Sequence, residues 1–310
     1  MLAALLIVTR AVHIAASILL AGTLTFEVVS LGSAGALAGG NLLEVERRLF
    51  RLVLWSVVAA LISAVLWFWL EVVNMSGLSF ANSSSLTAFQ TVLLETKFGH
   101  VWGLRLGVVA MTFVLSVSGL ARDGTRRRPL ILILWFLSVV LVISLAWISH
   151  AAAVQVQPLG LVGDALHLCA ACGWIGGLAP LAIFLTQMVG LLSSDERIAL
   201  VLERFSTLSL CCVVVLVFSG ICNSWLLVGS FQALFTTPYG QLLILKLVLF
   251  GILLGFGTRN RLAIKSRRLK AQTALDLSPQ LRRNVICEAC LGAAVVAIVA
   301  CLGVTPPARH

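Results

Sequence analysis

The chain has 310 residues, of which 60% are hydrophobic and only 11% are charged, and its mean hydropathy is +1.07. A water-soluble globule of this composition would leave large apolar surfaces wet, so the composition excludes a soluble protein and favours lipid surroundings. The formal charge of +10 does not indicate nucleic acid as a partner, because the basic residues are spread over several loops and form no single patch.

Eight apolar stretches are long enough to cross a membrane as helices, since one crossing needs about 20 apolar residues. We number them spans one to eight in chain order: 3–29, 51–73, 100–121, 129–149, 160–189, 205–228, 240–258 and 284–304. The pattern predicts an all-α membrane protein with eight transmembrane helices.

Basic residues are concentrated in the loops after spans one, three, five and seven, above all in the segment 259–283. The connecting segments 74–99, 150–159 and 229–239 are almost free of them. We call the side of the membrane with the basic loops the basic side, and the other the outer side. Because basic loops stay in the cytoplasm, we expect both termini outside it. The 259–283 loop is also expected to touch anionic membrane lipids.

The second half of the chain repeats the first, with three matches in the same order. The matches lie within Arg10–Ala16 and Asp164–Ala170, within Ile62–Trp69 and Phe218–Trp225, and within Phe89–Leu106 and Phe231–Leu247. They predict two four-helix repeats, residues 1–150 and 151–310, in one integral membrane domain. An even number of spans gives both repeats the same orientation, related by a pseudo-two-fold axis along the membrane normal. Gly173, Gly176 and Gly177 are expected to let span five approach a neighbouring backbone.

A histidine stands at the same position in each repeat. At a rise of 1.5 Å per residue, His13 and His167 each lie about 10 Å inside the outer face. Ionisable side chains at that depth usually face the bundle interior, so we predict that the two imidazoles meet across the axis and bind a metal ion. The alternative is two neutral histidines that are hydrogen-bonded to backbone groups or to Ser17.

Opposite charges stand three residues before these histidines, and therefore on the same helical face: Arg10 in the first repeat and Asp164 in the second. We expect them to pair across the axis, or Asp164 to orient the His167 ring by accepting a hydrogen bond from it. The alternative is two interfacial charges that extend separately toward water.

Two further histidines stand at helix ends on the outer side. His150 closes span four and His100 opens span three, so both are candidates for ligands that receive a metal ion above the His13 and His167 pair. The alternative is that each is an ordinary surface histidine at a helix end.

All eight cysteines fall in the second half, and all lie in predicted helices. Cys211, Cys212, Cys287 and Cys290 are expected near the basic side, where soft thiolates are candidates to receive a metal such as Cu(I) at an exit site. The alternative is that these cysteines are small core residues, as membrane cysteines often are.

The chain lacks three motifs that would indicate other chemistry: the G-x-x-x-x-G-K-[ST] loop, the D-K-T-G phosphorylation motif and H-E-x-x-H. ATP-driven pumping and zinc-protease chemistry therefore lack their residues, and we expect no enzyme. With only four methionines, a methionine-lined conduit is not expected either. Histidine is the leading ligand type, and imidazole suits copper but also zinc, nickel and haem iron.

A set of short motifs in a fixed order resembles a known family over nearly the whole chain. They are Asp164–His167, Trp174–Leu178, Arg204–Ser206, Thr237–Leu243 with Lys246, Ser149–Ala151 and Thr305–Pro307. The chain resembles the copper resistance protein D family (CopD/PcoD) of bacterial inner-membrane proteins. The resemblance implies a role in copper tolerance and in moving copper across the bacterial inner membrane, with periplasmic termini. It also implies a separate periplasmic copper-binding partner of the CopC type.

Residues and resemblance together predict an inner-membrane protein that binds copper and moves it from the periplasm toward the cytoplasm without ATP. Copper would pass His150 and His100 and bind between His13 and His167. Two alternatives use the same fold. One is a redox protein in which His13 and His167 are the axial ligands of a haem. The other is a membrane scaffold that delivers copper to an oxidase.

Overall fold

A computed structural model describes residues 1–32, 40–77, 86–121, 127–148, 157–188, 196–270 and 278–307 of the chain. Every regular element within these ranges is helical. The helices are α1 (Leu2–Thr25), α2 (Gly40–Ser76), α3 (Leu86–Glu95), α4 (Lys97–Ser118), α5 (Arg128–Ser144), α6 (Gln157–Ala171), α7 (Gly177–Gln187), α8 (Glu196–Val228), α9 (Phe231–Thr236), α10 (Pro238–Lys270) and α11 (Ser278–Leu302).

The eight predicted spans are confirmed. The described residues contain eight helical segments long and apolar enough to cross a membrane: Leu2–Leu31, Leu42–Ser76, Lys97–Ser118, Arg128–Ile148, Pro158–Gln187, Ile198–Val228, Pro238–Lys265 and Pro279–Leu302. Spans one and five each contain a π-helical stretch, Phe26–Leu31 and Cys172–Gly176. Large apolar side chains such as Trp55, Leu104 and Trp225 are more than two-thirds exposed. Lipid is the solvent that tolerates such a surface.

Two short helices, α3 and α9, precede spans three and seven where the sequence predicted only connecting segments. Both end at a threonine that starts the next helix. Thr96 accepts a hydrogen bond from the Gly99 amide at 2.9 Å, and Thr237 accepts one from the Gly240 amide at 3.1 Å. A Cβ at Gly99 would lie 2.0 Å from the Val92 oxygen, and one at Gly240 would lie 2.3 Å from the Leu234 oxygen. The two matched Thr-x-x-Gly segments thus have the same structural role. In each, the threonine caps the start of the long helix, and the glycine leaves room for the backbone of the preceding short helix.

A pair of glycines forms a close backbone contact between the two halves. A Cβ on Gly22 would lie 2.2 Å from the carbonyl carbon of Gly176, and one on Gly176 would lie 2.3 Å from the Ile18 oxygen. Gly22 follows His13 by nine residues, and Gly176 follows His167 by nine. Matched positions therefore meet where spans one and five cross, as the predicted repeat requires. The division into two repeats and their pseudo-two-fold axis stay predictions.

Replacing Gly22 by alanine should destabilise the protein, because the added Cβ meets backbone that cannot turn aside. We expect a loss of about 1–3 kcal/mol in the free energy of unfolding, the usual cost of overpacking. Gly255→Ala is the matched control, since nothing lies within 4 Å of a Cβ there, and alanine favours a helix. Unfolding in detergent would measure both variants. Equal effects would contradict the close contact.

Candidate functional site

His13 on α1 is buried, and both nitrogens of its ring are held. Nδ1 lies 3.2 Å from the carbonyl oxygen of Ala60 and 3.1 Å from Oγ of Ser63, both on α2. Nε2 lies 2.7 Å from Nη2 of Arg105 on α4. A carbonyl only accepts and a guanidinium only donates, so Nδ1 carries the proton and Nε2 accepts from Arg105. The ring is therefore a neutral imidazole whose lone pair is already in use.

Arg105 is a buried cation that is held without a carboxylate. Nη1 donates to the Leu141 carbonyl oxygen at 2.6 Å and also to Oγ of Ser144, both on α5. The guanidinium lies over the Trp102 ring, 5.3 Å from its centroid. No ion pair joins Arg105 to another residue in the described part of the chain. A charge at this depth is costly unless the protein satisfies it, so these contacts fix Arg105 in place, and with it the lone pair of His13.

Two tryptophans close the space around His13. The ring centroids of Trp67 and Trp102 lie 5.5 and 5.6 Å from that of His13, and the two indoles lie 4.7 Å apart. Trp102 donates to the Ala64 oxygen at 3.1 Å. Arg10 covers the outer side of this group, 4.7 Å above the Trp67 ring. The first repeat is therefore sealed around its histidine.

His167, the matched histidine on α6, keeps only one of these contacts. Its Nδ1 lies 3.0 Å from Oγ of Ser219 on α8, which matches Ser63. The Ser219 hydroxyl donates to the Val215 oxygen at 2.6 Å, so its oxygen accepts from the ring and Nδ1 carries the proton. Nε2 has no hydrogen-bond partner among the described residues. Its lone pair is therefore available to a ligand.

Polar residues of the second repeat lie near Asp164, and Lys246 acts electrostatically on both Asp164 and His167. Asp164 lies one helical turn toward the outer side, and its Oδ1 is 3.5 Å from Nδ2 of Asn223. Oδ1 of Asn223 is buried and has no hydrogen-bond partner among the described atoms. Lys246 and Tyr239 on α10 lie within electrostatic reach of Asp164. The second repeat therefore has an imidazole nitrogen and a buried amide oxygen without hydrogen-bond partners among the described residues.

Four of the matched positions that differ between the two predicted repeats change the polar character near the histidines. In the order first repeat and second repeat, the pairs are Arg10 and Asp164, Trp67 and Asn223, Phe98 and Tyr239, and Arg105 and Lys246. At the first three of these positions, the second repeat has an oxygen-containing side chain in place of an aromatic or cationic one. At the fourth, it has a lysine in place of a hydrogen-bonded arginine. In the first repeat the Nε2 lone pair of His13 is occupied by Arg105. In the second repeat, Nε2 of His167 has no hydrogen-bond partner among the described residues.

The predicted metal site shared by His13 and His167 has no counterpart in these contacts. Each ring packs against helices of its own repeat, and the space between α1 and α6 is filled by an apolar cluster that includes Ile14, Ile18 and Cys172. A shared site stays a prediction, and it would require Arg105 to leave Nε2 of His13.

Arg10 and Asp164 are also held apart. Arg10 lies over Trp67 and packs beside Gly303, directly after α11, whereas Asp164 lies beside Asn223. No ion pair joins Arg10 to Asp164 among the residues that the structure describes. The predicted cross-axis pair is therefore absent between these two side chains.

His100 is an exposed residue at the outer end of α4. Its Nε2 lies 2.7 Å from the Leu94 oxygen, and at the matched position Gln241 donates to the Phe235 oxygen at 3.3 Å. Because glutamine makes the same contact in the second repeat, this contact serves the helix start. His150, the other predicted receiving ligand, lies outside the described residues.

The cysteines predicted to form an exit site do not face one space. Cys211, Cys287 and Cys290 are exposed on the outside of the bundle, while Cys212 is buried and its sulfur lies 2.7 Å from where a Cβ on Gly173 would stand. Among the described residues, no group of three or more His, Cys, Asp or Glu side chains is placed to hold a metal ion. A site at His167 therefore needs a ligand of another type.

Comparison with known proteins identifies the family. A family model described as "Copper resistance protein D-like, N-terminal domain" matches residues 1–161, and one described as "Copper resistance protein D" matches residues 199–302. "Copper transport protein CutJ" of Bacillus subtilis is 30% identical over 199 residues, which are 60% of this chain and 36% of that protein. The chain thus spans about a third of that relative. No solved structure matches the chain.

Two further relatives match over most of their length. "Copper resistance protein D" of Pseudomonas syringae is 27% identical, over 70% of this chain and 71% of the relative. "Inner membrane protein YebZ" of Escherichia coli is 26% identical, over 76% of this chain and 77% of the relative.

The fold and the site define a polytopic membrane protein whose two repeats each hold one intramembrane histidine. The chain belongs to the copper resistance protein D family, which gives it a copper-related function in a membrane.

Sequence reasoning missed the partners of the two histidines. Ser63 and Ser219 stood in the matched segments of spans two and six, and Arg105 and Lys246 in those of spans three and seven. Polar residues matched at the depth of a matched histidine were the signal that these side chains meet. The sequence did not show that Arg105 would occupy the lone pair that a metal would need.

Replacing Arg105 by methionine should destabilise the protein, because Nε2 of His13 and the Leu141 oxygen lose their donor. We expect a loss of about 1–3 kcal/mol in unfolding free energy, the cost of buried polar groups left unpaired. Lys246→Met is the control at the matched position, since no hydrogen bond of Lys246 is found among the described residues. Denaturation in detergent measures both. A loss as large for Lys246→Met would contradict the structural role of Arg105.

Proposed function

We propose that this protein binds copper at His167 in the second repeat and moves it from the periplasm toward the cytoplasm, as part of copper homeostasis. The observation that carries the proposal is the unpartnered Nε2 of His167, on a ring already oriented by Ser219. A metal-binding histidine ordinarily donates its other ring nitrogen to a fixed acceptor in this way.

The donor set beside His167 suits a copper ion. Nε2 of His167, the Asp164 carboxylate and the unpartnered Oδ1 of Asn223 supply one nitrogen and two types of oxygen, a set that fits Cu(II) better than Cu(I). Lys246 lies within electrostatic reach of Asp164. When copper binds, its positive charge would take the place of the Lys246 charge as the neighbour of the Asp164 carboxylate.

The rest of the route is also a proposal. His100 and His150 would receive copper at the outer side, and a separate periplasmic protein of the CopC type would bring it there. Both termini would then lie in the periplasm, as the basic loops predict. Support comes from the family and from the printed name of the Bacillus relative, a copper transport protein.

Copper fits the contacts better than haem does. A haem with two axial histidines needs an unused nitrogen on each ring, directed into one space. The Nε2 of His13 is engaged by Arg105 at 2.7 Å, and an apolar cluster fills the space between α1 and α6. The haem alternative therefore finds no support in the arrangement of these side chains.

Matched histidine variants test the binding site. Copper affinity of the purified protein should fall about tenfold or more in His167→Gln, the scale of effects seen when a metal site loses an important group. His13→Gln should leave the affinity unchanged and lower stability instead. Equilibrium dialysis with metal analysis measures the affinity. An equal loss in His13→Gln would restore the shared site, and no loss in either variant would place copper elsewhere.

Uptake into vesicles tests movement. With a copper-sensitive dye inside, vesicles containing the protein should take up copper without ATP, and Asp164→Asn should slow uptake about tenfold, because the site loses one charged ligand. Arg10→Gln is the matched control, since Arg10 occupies the same position in the sealed repeat. Stoichiometric copper binding without uptake would instead favour a scaffold that delivers copper.

A further inference from the structure

A cavity opens in the second repeat on the basic side, far from His167. It has a volume of about 100 Å³ and lies between α7, α8, α10 and α11, near the ends of these helices that the basic loops join. Most of its lining is apolar, with Trp174 and Leu254 on its inner wall. One side of the cavity is nevertheless lined by polar side chains, which we call the polar wall.

Glu288 on α11 forms the centre of the polar wall and is only 2% exposed. Asn260 of α10 donates to Oε1 of Glu288 through its Nδ2, and Asn284 donates to Oδ1 of Asn260 at 2.9 Å. Oε2 of Glu288 has no hydrogen-bond partner among the described residues and lies 3.8 Å from where a Cβ on Gly257 would stand. One carboxylate oxygen is therefore held, and the other lies beside the cavity.

The other polar groups of the cavity leave this oxygen unpaired. Arg261, the only other charged lining residue, is held by Ser206, donating to its backbone oxygen at 2.8 Å and to its Oγ at 3.1 Å. Arg261 forms no ion pair among the described residues. Oγ of Ser209 faces the cavity and has no hydrogen-bond partner. The described wall thus contains a buried carboxylate with one oxygen held by Asn260 and no ion pair.

Described residues fill the matched space in the first repeat. Extending the sequence match along the helices without gaps, Ser206 corresponds to Phe50, and Asn260 to Gly119. A Cβ on Gly119 would lie 2.6 Å from the Phe50 ring, so this ring fills the matched space. Arg127 covers the ring at 4.3 Å. The polar cavity belongs to the same repeat as the unpartnered His167 nitrogen.

A proton fits this wall better than a metal ion. Na⁺ and divalent cations need several oxygen ligands together, but Asn260 presents its amide hydrogen to Glu288, and the Asn260 oxygen is used by Asn284. A carboxylate oxygen needs only one proton, and buried carboxylates inside membranes typically serve proton relays.

We infer that Glu288 is a proton-binding site, loaded through this cavity from the basic side, and that copper movement is coupled to it. Protonation transfers a proton from water to Oε2 of Glu288, where it forms an O–H bond. On release this bond breaks and the proton returns to water, so no electrons are transferred. The coupling rests on the proposed function, whereas proton binding at Glu288 does not.

Infrared spectroscopy of the protein without copper tests the site. The carboxyl C=O band of a protonated glutamic acid should appear and vanish as pH is varied, and Glu288→Gln should remove it. This variant keeps the size of the side chain and a partner for Asn260. Glu27→Gln is the matched control: Glu27 is also buried near the basic side, 8% exposed, but lines no part of this cavity. If Glu288→Gln removes no titrating band that the wild type and Glu27→Gln share, the inference is overturned.

Vesicles with a pH dye inside test the coupling. Copper uptake should change the internal pH for the wild type and for Glu27→Gln, and this change should be lost in Glu288→Gln. Ser206→Phe places a phenylalanine where Phe50 stands at the matched position, and it should slow the pH change several-fold. Copper uptake without any pH change would overturn the coupling. If copper does not move but the Glu288 band titrates, the proposed function fails and the proton site stands.

Discussion

Lipid offers no hydrogen bonds, so each polar group inside the bundle must find its partner within the protein. His13 meets this demand completely, with Ala60 and Ser63 at one nitrogen and Arg105 at the other. His167 meets it at one nitrogen only. In water such a difference would mean little, because solvent would satisfy either ring. In a membrane interior, the unpartnered nitrogen is the one that a ligand is needed to satisfy.

If the predicted repeat reflects a duplication, divergence after it would account for this asymmetry. The framework is common to both repeats: a histidine anchored by a serine, a capping threonine before spans three and seven, and glycines that meet where spans one and five cross. Around the framework, the first repeat became an aromatic and cationic core, and the second kept oxygens. In the described structure, α1 packs against the π-helical stretch Cys172–Gly176 and against α7.

The second repeat thereby carries both proposed sites. His167 lies near the outer side, and the Glu288 cavity lies near the basic side. Trp174 borders the cavity and follows His167 by seven residues, a rise of about 10 Å along the same span. Between the two levels, Cys172 and Cys212 are buried in apolar clusters. Asn223 beside Asp164 and Ser206 at the cavity both lie on α8, so α8 would connect the two proposed sites.

The sequence by itself determined the eight spans, because hydropathy is a local property that each segment carries alone. The sequence also predicted which positions of the two halves correspond, because His13, Ser63 and Arg105 are matched in the same order in the second half. Only the tertiary structure decided where the rings point. The contact between His13 and Arg105 joins residues 92 positions apart, and a pattern along one helix cannot state which neighbour fills a lone pair. The same reason hid the cavity at Glu288, whose walls come from four helices and whose matched space is filled by Phe50.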